Sequence, residues 1–316
     1  MTDGYLYYSP GLTSRPAWEV MRHMLAGENL GFITTRQTKD KWDVLATRHI
    51  CGHKSCAAYD INSLFPLYLY PTSGNEAPRQ KSLSSADWPP GKDGRIPNLS
   101  PEFVADFAEK LGLEFVPDGR GDLEATFGPE DVFGYIYAVF FSPTYRERYA
   151  EFLKIDFPRV PLTSDREKFR KLVKLGGELV GLHLLESPLL AKTITRYPVV
   201  GDNRVEKGRP KYFAPGEVGP GSGSKGGDGG ADGDGAVLEA GRVYINKSQY
   251  FEGVPPEVWE FQVGGYQVCD KWLKDRRGMQ LSYDDLTVYQ KVIVALKETI
   301  RLMEEVDSAV GEWPLE

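Results

Sequence analysis

Apolar positions recur at helical spacing through several stretches of this chain. Phe169, Leu172, Val173, Leu179 and Leu182 share one face of a helix predicted from the capping box Ser164-x-x-Glu167 to about Leu185. Leu286, Tyr289, Ile293, Leu296, Ile300, Met303 and Val306 do the same for a final helix capped by Ser282 and ending near Ser308. Ser100 as N-cap with Pro101 behind it opens another, which stops at Gly112. Shorter helices are expected from Glu19 to Leu25 and from Gly265 to Asp275, the latter presenting Tyr266, Cys269, Trp272 and Leu273. A helix starting at Pro129 carries Glu130 and Asp131 in its first turn, where the helix dipole favours acids. Its aromatic face is Phe133, Tyr137, Phe140 and Phe141. Pro143 breaks it, a short second helix follows to about 153, and Pro158 and Pro161 hold Phe157 to Leu162 extended.

Strand-like composition marks Asn29 to Thr35, Trp42 to Arg48, Ser63 to Tyr70 and Arg242 to Asn246. Residues 192–213, with the turn Gly201-Asp202-Asn203, read as a hairpin. Residues 72–98 form a loop rich in Pro, Ser and Gly, and Pro215 to Gly235 is a low-complexity tract of Gly, Ser and Asp. No internal repeat stands out. The expected fold class is α+β: a mixed-strand N-terminal lobe, then a mostly helical C-terminal lobe with a flexible Gly-rich insert. The expected divisions are 1–98, 99–213, 214–240 and 241–316.

Composition narrows the class. With 316 residues, 41% hydrophobic and 26% charged, the chain is ordinary for a globular protein and long enough for a sizeable core. No stretch approaches the ~20 apolar residues that span a bilayer, and no signal pattern opens the chain. No membrane partner is expected. Three cysteines form no even framework, which fits a reducing cytoplasm. The net charge of −7 weighs against a uniformly basic nucleic-acid binder, but the local field decides such binding. Acids gather at 228–239 and 298–316, bases at 144–174 and 192–211.

Chemistry-bearing motifs are scarce. Cys51, His53 and Cys56 invite a zinc reading, but structural zinc wants four ligands and Cys269 is the sole distant thiol; packed thiols are the simpler reading, and no metal is expected. Asp87-Trp88-Pro89-Pro90 has the parts of an amino-methyltransferase motif in the wrong order and reads as a loop. The glycine tract lacks phosphate-loop spacing, and its acids would repel phosphate. His23 and His183 fall within helical patterns and read as structural. No catalytic residue is assigned.

The order of features from Gly128 to Leu162 resembles the C-terminal specificity domain of the Type ISP restriction–modification enzymes. These are single chains joining nuclease, translocase, adenine methyltransferase and target-recognition parts. Other blocks agree: Arg15-Pro16, Glu19 to Leu25, Thr34-Thr-Arg-Gln37, Phe65 to Pro71, Val243 to Lys247, Phe251 to Trp259, Gly264 to Arg276, and Tyr289 to Arg301. The resemblance implies recognition of a short double-stranded DNA target. It also implies a methyltransferase and translocase portion as partner. S-adenosylmethionine, ATP and Mg would belong to upstream parts, with no cofactor held by this chain, which looks like a separated C-terminal piece. Two rival roles follow: part of an N6-adenine methyltransferase, or a docking module motivated by the amphipathic final helix.

Reading bases requires donors and acceptors that reach groove edges, while phosphate contacts set the register. Arg36, Gln37, Lys39 and Lys41 stand where a strand meets a polar turn, and His53, Lys54 and Ser55 lie in the next loop. These are the candidate base contacts; an ordinary polar hairpin is the alternative. Arg146, Arg148, Lys154 and Arg159 suit phosphate clamps, or equally pair with Glu147, Glu151 and Asp156. Asn246, Lys247 and Tyr250 form a polar–aromatic tip suited to the DNA backbone.

Overall fold

The computed structural model describes residues 17–39, 41–57, 60–71, 88–217, 219–220 and 240–315. The Arg15-Pro16 block, Asp87 with most of the 72–98 loop, and most of the Gly-rich insert lie outside the described residues. The fold is α+β, with small sheets and helices interleaved along the chain. Its contacts divide it into two units: Leu185–Ile300, and the residues up to Leu184 together with those from Arg301 on.

In the larger unit, α1 (Trp18–Leu25) precedes strands β1 (Gly31–Thr35), β2 (Val44–Thr47) and β3 (Asn62–Pro66). The sheet is antiparallel in the order β2-β1-β3, with Ile33 opposite both Leu45 and Leu64. Met24 of α1 packs with Ile33, Leu64 and Cys56 on one face. Successive strand residues alternate faces, so Phe32 points the other way and stacks on Phe133 with 3.8 Å between ring centroids. The strand expected through Tyr70 is interrupted after Pro66. The Leu67 N–H turns to the Leu30 carbonyl, and β4 (Tyr68–Leu69) pairs instead with β5 (Ile96–Pro97).

Helix α2 (Pro101–Leu111) has the ends its sequence predicts. Ser100 Oγ accepts from the Phe103 N–H at 3.1 Å, and Gly112 closes the helix at φ 59°. A short parallel pair, β6 (Glu114–Phe115) and β7 (Thr126–Phe127), leads into α3 (Pro129–Phe141). The sequence gives α3 one aromatic face, yet every residue of it but Glu130 is buried. After it come α4 (Pro143–Arg148), α5 (Ala150–Leu153) and α6 (Arg166–His183). Where α3 crosses α6, a Cβ on Gly176 would lie 1.8 Å from the Gly134 carbonyl oxygen, so the two backbones meet directly. The cap of α6 is Asp165 rather than Ser164: its carboxylate accepts from both Glu167 and Lys168 N–H groups, at 2.9 and 3.0 Å. One carboxylate oxygen there satisfies two of the orphan donors of the first turn.

In the Leu185–Ile300 unit, β8 (Lys211–Phe213), β9 (Gly241–Tyr244) and β10 (Tyr250–Val254) form a sheet ordered β10-β9-β8. Helix α7 (Pro256–Glu260), the hairpin β11 (Gln262–Val263) and β12 (Tyr266–Gln267), α8 (Val268–Lys274) and the first part of α9 (Tyr283–Val310) follow. Val243, Phe251, Val258, Cys269, Leu273, Tyr289 and Ile293 are core. Residues 192–213 do not fold back on themselves as a hairpin. Arg196 bridges to Glu252, Arg204 to Gln280, and β8 pairs with β9. Pro198 and Pro210 remove the N–H groups that a self-paired ladder would use. The apolar face of α9 is spent inside the fold: Tyr289, Ile293 and Leu296 are buried in this unit, and Leu302, Val306 and Val310 in the other.

Candidate nucleic-acid interface

The turn after β1 is held down by its backbone. Thr38 N–H donates to the Lys154 carbonyl at 3.1 Å, and Lys39 N–H donates to an Asp60 carboxylate oxygen at 3.0 Å. Arg36 Nε reaches Asp156 Oδ1 at 3.1 Å, and Gln37 Nε2 donates to the Ile155 carbonyl at 3.4 Å. Segments 36–39, 60–61 and 154–156 thereby become one surface. The Arg36–Asp156 pair is exposed on both sides and contributes little to stability. The Asp156 carboxyl is held below its ordinary range, first by the Phe157 N–H and then by Arg36, so it stays ionised beside the guanidinium. Lys39 and Lys41 are exposed, with no side-chain partner among the described residues.

The loop carrying His53, Lys54 and Ser55 is braced by one residue. Asn62 N–H donates to the His53 carbonyl at 3.0 Å, Asn62 Oδ1 accepts from Ser55 N–H at 2.7 Å, and Asn62 Nδ2 donates to the Gly52 carbonyl at 3.1 Å. All three candidates are exposed on it; Ser55 Oγ turns back to the Gly52 carbonyl at 3.3 Å, whereas His53 and Lys54 have no side-chain partner among the described residues. Beneath lies Cys56, buried, its thiol donating to the Asp43 carbonyl at 3.2 Å and pushed far above its ordinary pKa by burial. That thiol is packed. Among the described residues no group of three His, Cys, Asp or Glu side chains is arranged to hold a metal ion.

The arginines of α4 part company. Arg146 turns inward. Its Nε donates to the Phe140 carbonyl at 2.6 Å, its guanidinium lies over the Phe141 ring, and Nη2 sits 2.8 Å from buried Asp43 Oδ1 as an ion pair out of line for a hydrogen bond. It neutralises a buried carboxylate and has no reach to a phosphate. Arg148, two residues on, is exposed, its guanidinium 6.0 Å from the Tyr149 ring. Lys154 pairs with Glu151 at 2.7 Å, the alternative the sequence left open, and Arg159 is exposed. The α4 N-terminus is itself fastened by Asp307, which accepts from Thr144 N–H at 3.1 Å and from the Ser142 hydroxyl.

The tip after β9 differs from its sequence reading. Asn246 is buried, its Oδ1 accepting from the N–H groups of Ser248 and Gln249 at 3.0 and 2.7 Å. Its Nδ2 donates to Gln249 Oε1 at 2.8 Å, and Gln249 ties on to Asn203 and Val199. Asn246 therefore shapes the turn and cannot touch a ligand. Lys247 is exposed, and Tyr250 packs tilted against Tyr244 at 4.7 Å between ring centroids, with Arg242 over its ring. The sequence reading also passed over three residues of α6, Lys168, Lys171 and Lys174. With Arg170, Asp165, Glu167 and Ala309 they line an open groove of about 410 Å³, and they have no side-chain partner among the described residues. Their spacing of three along a helix whose apolar set is known was the available signal.

The chain matches the sequence model of the Type ISP C-terminal specificity domain over residues 1–305. It belongs to that family. Among solved structures, the specificity domain is similar to part of the DrdV–DNA complex, with TM-score 0.64 and 18% identity over 98% of this chain and 27% of that one. It is similar to the ATP-dependent Type ISP restriction-modification enzyme LlaBIII bound to DNA at TM-score 0.60 and 18% identity, covering 98% of this chain and 18% of that one. A nuclease-deletion mutant of the Type ISP enzyme LlaGI in complex with a DNA substrate mimic gives 0.54 and 19%, over 92% and 22%. The chain thus spans about a fifth to a quarter of the length of these structures. No curated protein matches it.

Proposed function

We propose that this specificity domain recognises a short double-stranded DNA sequence on behalf of a restriction–modification system, working in the cytoplasm with a methyltransferase and translocase portion. The observation that carries this is the clasp of the turn 36–39 onto 154–156, which sets an arginine and a glutamine side by side on a fixed backbone in a family of specificity domains. Arginine suits the O6 and N7 of guanine, glutamine the N6 and N7 of adenine. Lys39, Lys41, His53 and Lys54 stand beside them as further polar contacts, and Ser55 completes the loop. Arg148, Lys154, Arg159 and Lys247 act on phosphates, with Tyr250 supporting the last. Arg146 and Asn246 are left out because the fold uses them internally. The free state of all three cysteines suits a reducing compartment.

Selection of bound duplexes from a randomised library by the purified chain, repeated with R36A/Q37A, tests the reading. One enriched motif is expected with the natural chain, and loss of about 1–3 kcal/mol of discrimination for each lost bidentate contact in the variant. An unchanged motif in the variant removes Arg36 and Gln37 from the reading; no motif with the natural chain removes autonomous recognition.

A further inference from the structure

Arg36 spends only part of its guanidinium on the fold. Its Nε donates to Asp156 Oδ1 at 3.1 Å, and neither Nη1 nor Nη2 has a hydrogen-bond partner among the described residues. A guanidinium can grip the O6 and N7 of guanine along its Nε edge or end-on with its two Nη groups. A carboxylate on Nε leaves only the end-on fork. Asp156 is placed independently of this pair. Its N–H donates to the Phe152 carbonyl at 3.1 Å, and its carboxylate accepts from the Phe157 N–H. The Phe157 ring meets Phe65 of β3 edge-on at 5.2 Å, and the Tyr145 hydroxyl donates to the Arg159 carbonyl at 2.8 Å. Phe65 stands opposite Phe32 of β1, the strand that leads into Arg36, so both partners are anchored to one sheet. The side chains are 67% and 59% exposed, so their pairing does little for folding. A carboxylate there also weakens the field that draws a phosphate backbone, so it does not serve non-specific attraction. What it does is fix the direction of the fork, and so reduce the side-chain freedom Arg36 would lose on binding.

We propose that Asp156 is a positioning residue for base recognition, holding Arg36 so that Nη1 and Nη2 meet the O6 and N7 of one guanine. The proposal rests on the DNA-reading function above and adds the residue that makes Arg36 selective. A guanidinium without this tether reaches the N7 of adenine or the O4 of thymine with a single donor, and its preference for guanine falls.

The test uses the full chain and the duplex obtained by library selection, with each G·C pair replaced in turn. D156A is expected to bind the selected duplex about two- to tenfold more weakly. The lost preference should fall on the one guanine whose preference R36A also loses. Binding of a duplex of unrelated sequence should stay level or rise, because a negative charge has gone. D156N keeps an oxygen for the Arg36 Nε, so it should recover the larger part of the guanine preference while sharing the change in non-specific binding. In the R36A background, D156A should leave base preference unchanged. Thermal melting of each variant, expected unchanged for an exposed pair, separates folding from positioning. A D156A chain that keeps the guanine preference, or that weakens selected and unrelated duplexes alike, overturns the positioning role. So does a D156N chain no better than D156A, or a D156A effect that persists without Arg36, which would make Asp156 a base contact in its own right. Failure to select any motif, or a motif unchanged in R36A, instead overturns the reading on which the proposal rests, and the proposal with it.

Discussion

Two polar turns between antiparallel strands look alike in composition and are built in opposite ways. In the turn after β1, the backbone of Thr38 and Lys39 does most of the holding, and Lys39 and Lys41 are left outside. In the turn after β9, the side chains of Asn246 and Gln249 do the holding, and both are buried. A buried side chain whose donors and acceptors are paired has no capacity left for a ligand, whereas the exposed Arg36 and Gln37 keep donors beyond those given to Asp156 and Ile155. The first turn keeps exposed polar groups for the proposed recognition, while the buried side chains of the second are spent on its own shape. The same division separates Arg146 from Arg148 within one helix.

The sharpest way to break this comparison is R146A. It leaves Asp43 charged and buried, and we expect about 3–5 kcal/mol lost in chemical denaturation, far beyond any surface arginine. An effect under ~1 kcal/mol would return Arg146 to the candidates for phosphate contact. Gln249→Ala follows, because it strands Asn203 and Asn246 groups now paired with it; we expect a loss of about 2–3 kcal/mol in the Leu185–Ile300 unit. DNA discrimination measured below the melting point should not change.

A pH titration distinguishes the units. Burial lowers the pKa of His23 to about 4 and of His183 to about 3, with Arg22 and Arg146 adding to each. Geometry agrees. His23 Nδ1 accepts from the Tyr70 N–H at 2.9 Å, and the Tyr137 hydroxyl, already accepting from Ala46, lies 2.7 Å from His183 Nδ1. Both stay neutral when folded and charge below about 6.5 when unfolded, so their contribution is whole above that pH and falls as pH drops toward 4. Each costs up to about 1.4 kcal/mol per pH unit in that window. Residues 185–300 contain no histidine, so differential hydrogen exchange should show the larger unit loosening first. The smallest effect belongs to Lys39→Ala and Lys41→Ala, which should leave stability within ~0.5 kcal/mol. Each lowers the salt slope of binding by about 0.9 if it meets a phosphate, and leaves the slope unchanged if it meets only bases.

Local signals read correctly where the physics is local. Ser100, Pro101 and Gly112 marked both ends of α2 because a cap hydroxyl, a ring that needs no N–H and a left-handed terminus act within one turn. Asp165 took the cap of α6 from Ser164 because caps one residue apart compete and only the packed helix axis chooses. Periodicity put an aromatic stripe on α3 but could not show that Gly134 and Gly176 bring two backbones together and bury the remaining sides. The pairing of 192–213 was illegible for a similar reason, since its partners Glu252 and Gln280 lie far along the chain.

The sequence by itself determined the family, the α+β class, most helix limits and the stretches rich in polar and cationic residues, because these depend on residue type and short spacing. Only the tertiary structure decided which polar side chains are free. Arg36 and Asp156 are 120 residues apart and meet at 3.1 Å, while Asn246, nominated for contact, turns inward to its own turn. Burial and hydrogen-bond satisfaction are set by what packs against a residue, and no spacing along the chain encodes that.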